Sequence, residues 1–131
     1  MKLLGLNHLD IVVDDLKKSI EFYRKFGLSI EGTVDNGKTV FLFNEDKENP
    51  VRVELHEKKP GQVTGIDHIA FTVEDPMTST NEIKFLGGVD FLFEPNENQQ
   101  SGRTISNCYD PDGVQIQMAK QTSEGTFKNW E

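Results

Sequence analysis

Leu6-Asn7-His8-Leu9-Asp10-Ile11-Val12-Val13-Asp14-Asp15 reappears in altered form as Ile66-Asp67-His68-Ile69-Ala70-Phe71-Thr72-Val73-Glu74-Asp75. The two histidines stand 68 − 8 = 60 residues apart, and Val53-Glu54-Leu55 is echoed by Ile116-Gln117-Met118 at 117 − 54 = 63. The chain therefore reads as a duplicated unit, each copy carrying a metal-capable side chain near its beginning and another near its end. This arrangement implies a metal site shared between the halves.

Each copy has the same predicted order of elements. In the first, a strand near 6–13 leads to Asp14 or Asp15, either able to cap a helix in which Leu16, Ile20, Tyr23 and Phe26 recur at helical spacing; Gly27 stops it. Strands follow near 28–34, 38–44 and 50–57, with Asp35-Asn36-Gly37 as a hairpin turn. In the second, a strand near 64–74 meets Asp75-Pro76, a helix cap and first helical residue, and the helix runs to Leu86 before Gly87-Gly88. Thr78, Ser79 and Thr80 dilute its apolar pattern, but its place in the repeat supports it. Strands near 89–93, 103–109 and 113–119 complete the copy, the last two joined by Asp110-Pro111-Asp112-Gly113. The expected fold is α+β, two βαβββ modules at 1–60 and 61–120 that together supply eight strands with helices on one face. Segments 44–50 and 94–102 read as polar loops, and 121–131 as a loosely held tail in which Phe127 and Trp130 are available to dock on a neighbour.

With 131 residues the chain has one domain's worth of core, so the two copies must complete one body. A 35% hydrophobic and 27% charged composition describes a soluble protein, and the single Cys108 cannot close an internal disulfide, as expected in a reducing cytoplasm. Asn7, His8 and Asp10 interrupt the first apolar stretch, so neither a signal peptide nor a membrane span is expected there. A formal charge of −8 argues against a nucleic-acid partner, whose affinity depends on clustered Lys and Arg.

Strand alternation gives each candidate a direction. Leu9, Ile11 and Val13 set His8 on the opposite face; Val51, Val53 and Leu55 do so for Arg52, Glu54 and His56. Ile69, Phe71 and Val73 set His68 apart, as Val114, Ile116 and Met118 do Gln117. Two imidazoles, a carboxylate and an amide oxygen suit a divalent Ni, Zn, Co, Mn or Fe ion and leave positions for water or substrate. Arg52 and Arg103 are candidates to clamp an anionic substrate, although pairing with nearby acids fits both equally well. Cys108 has no basic neighbour in sequence and reads as a small buried hydrophobe rather than a nucleophile.

The repeated His-bearing strands, Ser19-Ile20-Glu21-Phe22-Tyr23, Val53-Glu54-Leu55 and Tyr109-Asp110-Pro111-Asp112-Gly113 together resemble the vicinal oxygen chelate superfamily over residues 4–120. That group includes glyoxalase I, methylmalonyl-CoA epimerase, fosfomycin-resistance thiol transferases, extradiol dioxygenases and bleomycin-binding proteins. The resemblance implies that the two modules form an open, cup-shaped, eight-stranded mixed sheet around one metal held by His8, Glu54, His68 and Gln117, usually in a homodimer, with substrate oxygens on the metal and an enolate or oxyanion stabilised. Gln117 departs from the glutamate usual in glyoxalase I and the epimerase, and an amide is no base near neutral pH. Glu54 and His56 are the remaining candidates to move a proton, with Glu54 slightly preferred. Three classes follow: a glyoxalase- or epimerase-like lyase or isomerase on a small carbonyl or oxygen-rich substrate, a thiol transferase or dioxygenase, and a metal-free small-molecule resistance module.

Overall fold

The computed structural model describes residues 1–126, which contain eight strands and two α-helices. The fold is α+β, with β1 (Gly5–Val13), α1 (Leu16–Arg24), β2 (Ser29–Val34), β3 (Thr39–Phe43) and β4 (Arg52–Glu57) in the first βαβββ module. The second comprises β5 (Gly65–Thr72), α2 (Pro76–Leu86), β6 (Asn96–Asn98), β7 (Arg103–Tyr109) and β8 (Gln115–Gln121). The chain divides into two compact units, residues 8–67 and residues 1–7 with 68–126. We call them the N-terminal and C-terminal units.

In the N-terminal unit the strand order is β2-β3-β4-β1, with β1 parallel to β4 and the other pairs antiparallel. The C-terminal unit repeats that plan as β6-β7-β8-β5, with β5 parallel to β8. A parallel pair needs a crossover, and each helix belongs to the connection that provides it.

Asp15 caps α1 by accepting the Lys18 N–H at 3.1 Å. The buried face of α1 then joins Val13, Ile20, Leu28, Val40, Leu42, Val53 and Leu55, with Leu16 and Tyr23 packed against them. Phe26, expected on that face, lies beyond the helix end, 70% exposed, and rests on Phe22 at 5.3 Å between ring centroids. The expected turn at 35–37 is present, with Asp35 and Asn36 left-handed at φ 54° and 56°.

Asp75 caps α2 by accepting the Met77 N–H at 3.1 Å and the Thr78 hydroxyl at 2.7 Å, with Pro76 in the first turn. Its buried residues are Pro76, Ser79 and Thr80, and Thr80 Oγ1 donates to Ser106 Oγ of β7 at 2.8 Å. Two of the three hydroxyl residues that dilute the apolar pattern, Ser79 and Thr80, are thus on the inward face, while Thr78 is exposed beside the cap.

One strand differs from expectation. Residues 89–93 form no strand beyond a single Phe91–Cys108 bridge; pairing is made instead by Asn96–Asn98, inside the segment read as a loop. The turn at 99–102 sets this register: Gly102 N–H reaches Asn98 O at 2.8 Å, Ser101 N–H reaches Asn98 Oδ1 at 3.0 Å, and Asn98 then faces Arg103. The chain beyond β8 secures the same turn, for Thr122 N–H and Ser123 N–H both donate to Gly102 O and Thr126 N–H to Gln100 O. Gly102 has φ +74°, and a Cβ there would lie 2.3 Å from Ser123 O, so no other residue fits. Residues 121–126 are accordingly held rather than loose, while Phe127 and Trp130 lie outside the described residues.

Candidate metal centre

Because Val53 and Leu55 enter the core under α1, Arg52, Glu54 and His56 take the other face of β4. Each meets an oppositely charged or basic partner, on β1 for Glu54 and His56 and on β2, beyond β3, for Arg52. His8 Nε2 lies 2.5 Å from Glu54 Oε2, and the residues are only 1% and 6% exposed. Burying a carboxylate is costly unless a hydrogen-bonded or metal partner meets it, so this pair marks a place built for charge.

One step along the same strand, His56 Nδ1 lies 3.0 Å from Asp10 Oδ1. The Asp10 side chain holds the His56 pKa above the usual imidazole value, against the opposing effect of burial; the charges of Asp10 and Asp67 add to the rise and Lys59 opposes it. One step the other way, Arg52 Nε and Nη2 donate to the two Glu31 oxygens, both at 2.7 Å. This two-pronged bond raises the Arg52 pKa further and occupies one edge of the guanidinium.

The C-terminal unit places His68 and Gln117 on corresponding strands, with His68 aligned to Gln115 and Gln117 aligned to Ala70 and Asn107. Amides replace the charged pairs here: Asn107 Nδ2 donates to Gln115 Oε1 at 2.6 Å. Asn107 Oδ1 is buried with no hydrogen-bond partner among the described residues, and Gln117 is buried beside it in register. Arg103 is buried at the start of β7. Cys108 is half-buried, and burial pushes its thiol pKa up, which disfavours the reactive thiolate.

The four expected ligands thus divide two and two between the units. The structure brings His8 and Glu54 together in one of them, and also shows Asp10, Glu31 and Asn107, which strand phase alone did not single out. Asp10 was visible in principle, since it lies two residues from His8 on the same face of β1.

The family model for the Glyoxalase/Bleomycin resistance protein/Dioxygenase superfamily matches residues 5–118. The chain belongs to this superfamily. Among solved structures, methylmalonyl-CoA epimerase from Mycobacterium tuberculosis is similar at a TM-score of 0.72 and 19% identity, with 89% of this chain and 87% of the epimerase covered. The Mn(II)-bound glyoxalase from Novosphingobium aromaticivorans aligns at a TM-score of 0.74 and 17% identity over 99% of this chain and 43% of that one. Homoprotocatechuate 2,3-dioxygenase from Brevibacterium fuscum gives 0.63 and 16%, over 92% and 39%. The chain spans less than half of those last two proteins, and at these identities the likeness is one of fold. No curated protein matches the chain.

A superfamily with a manganese-bound glyoxalase among this chain's structural relatives raises the question of a metal, and the N-terminal unit supplies a direct test. An imidazole nitrogen and a carboxylate oxygen converge there out of solvent, a donor set that fits a borderline divalent cation. Among the described residues no helix is long and apolar enough to cross a membrane.

Proposed function

We propose that this chain is a metal-dependent enzyme of the glyoxalase and epimerase kind, a lyase or isomerase of a small carbonyl or oxygen-rich substrate. One divalent cation, Ni, Zn, Co, Mn or Fe, is to be held by His8, Glu54, His68 and Gln117. The observation that carries this reading is the buried His8–Glu54 contact at two of the ligand positions. Bound there, the cation would supply positive charge against negative charge developing on a substrate oxygen.

The chain's own residues divide the remaining work. Gln117 has no useful basicity, so a proton leaving substrate carbon must be taken elsewhere. Glu54 is committed to His8, whereas His56 lines an open pocket and is steadied through Nδ1 by Asp10. This favours His56 as the proton carrier, with Glu54 as the alternative. Arg52, already fixed by Glu31, and Arg103 are the proposed counter-charges for substrate. A cytoplasmic homodimer is the setting proposed for this activity.

The test is elemental analysis of the wild type, Glu54→Ala and His68→Ala proteins. Stoichiometric metal in the first and its loss from both variants supports the enzyme; a metal-free wild type overturns it in favour of a small-molecule-binding module. Deuterium wash-in at a substrate carbon, retained in Lys17→Ala and abolished in His56→Ala, then assigns the proton carrier.

A further inference from the structure

The N-terminal unit contains an open pocket of about 840 Å³ with Asp10 and His56 in its lining, a size within the range of small-molecule sites. The turn at 35–37, Lys38 and Thr39 contribute to its wall, as does the segment from Glu57 to Pro60. Three lysines, Lys38, Lys58 and Lys59, line this cavity together with three acids, Asp10, Asp35 and Glu57.

Most of the charge around the pocket is already committed. Glu57 Oε1 accepts the Leu16 N–H at 3.1 Å, Asp10 faces His56, and Lys58 Nζ pairs with Asp14 at 3.0 Å. Lys38 and Lys59 have no ion pair among the described residues, and both are exposed. Lys38 directly follows the hairpin turn, in which Asp35 and Asn36 are both left-handed, a conformation these residue types adopt readily.

We infer that this pocket takes an oxyanion group, a carboxylate or phosphate, with Lys38 and Lys59 as its counter-charges and the His56–Asp10 pair deeper in the same cavity. The proposed substrate is accordingly an anion, its charged end at the lysine rim and its reacting part toward His56. This deepens the metal-enzyme reading and rests on it for the word substrate. The oxyanion site itself is measurable without metal.

The experiment is a titration of the isotope-labelled full chain with inorganic phosphate and, separately, malonate, at constant ionic strength, followed by amide shifts. Saturable shifts confined to residues 35–39 and 56–60 are expected. The Lys38→Ala/Lys59→Ala double variant should weaken binding about tenfold, the scale of two partly exposed charge contacts. Lys38→Arg/Lys59→Arg should restore most of it, and Lys17→Ala on α1 should leave it unchanged. Binding of phosphate but not malonate, or the reverse, names the oxyanion. Shifts scattered over surface lysines, or binding undiminished in the double alanine variant, overturn the proposal. Metal content measured on the same samples separates the two readings. A metal-free protein that still binds oxyanions through Lys38 and Lys59 keeps this site and removes the enzyme; a metalloprotein indifferent to both anions does the opposite.

Discussion

The two modules share a backbone plan and differ on the face turned away from their helices. By the offsets of 60 and 63 that relate the copies, Asp10 and His56 correspond to Ala70 and Ala119, and Arg52 and Glu54 to Gln115 and Gln117. The registers agree, since Asp10 lies beside Glu54 as Ala70 lies beside Gln117. Only the histidine pair, His8 and His68, is common to both. The first copy therefore carries titratable side chains at positions where the second is neutral. The helix sides differ as well: Ile20, in the apolar core under α1, corresponds to Thr80, bonded to Ser106 under α2.

The largest effect should come from the proposed ligand positions. Glu54→Ala leaves buried His8 without the carboxylate that faces it, and breaking a buried pair from one side costs about 3–5 kcal/mol. Gln117→Ala removes a neutral amide and should cost about 1 kcal/mol. Urea unfolding of both variants measures the difference; equal losses would mean that the charged and amide faces are energetically alike. Next in size is the core beneath α1, where Ile20→Ala should cost about 2–4 kcal/mol because the site is packed on all sides.

The corresponding change in the second module has a different shape. Thr80→Val leaves the buried Ser106 hydroxyl without its partner and should cost about 1–3 kcal/mol. Adding Ser106→Ala removes the orphan, so the double variant should recover most of that loss. A double variant as unstable as the single would show that α2 is held by shape rather than by this hydrogen bond.

How much of this was legible beforehand depends on the range of the interaction that decides it. Strand phase placed His8, Arg52, Glu54 and His56 away from the helix because alternation is local, and the repeat placed α2 despite weak helix formers. Partnerships were another matter. Glu31 meets Arg52 across a β2–β3 pairing whose register shifts between Ile30 and Gly32, and no local pattern encodes that irregularity. The misplaced strand has a similar cause. Phe91, Leu92 and Phe93 look more strand-like than Asn96-Glu97-Asn98, but the turn at 99–102, clasped by residues 121–126, selects which segment pairs with β7.

The smallest expected effects concern the two helix caps. Asp15→Ala removes one bond to a first-turn N–H and should cost about 1 kcal/mol. Asp75 accepts the Thr78 hydroxyl and the Met77 N–H, and these bonds, the hydroxyl first, hold its pKa below the ordinary aspartate value of 3.8. A carboxyl whose folded pKa is depressed stabilises fully above its unfolded value and loses that contribution as pH falls through the folded one. Asp75→Ala should therefore lower Tm by roughly 2–4 °C near pH 6, and the gap to wild type should narrow once the medium is acidic enough to protonate the native carboxyl. A gap that stays constant on acidification would show that Asp75 acts through the shape of the turn before Pro76 rather than through its charge.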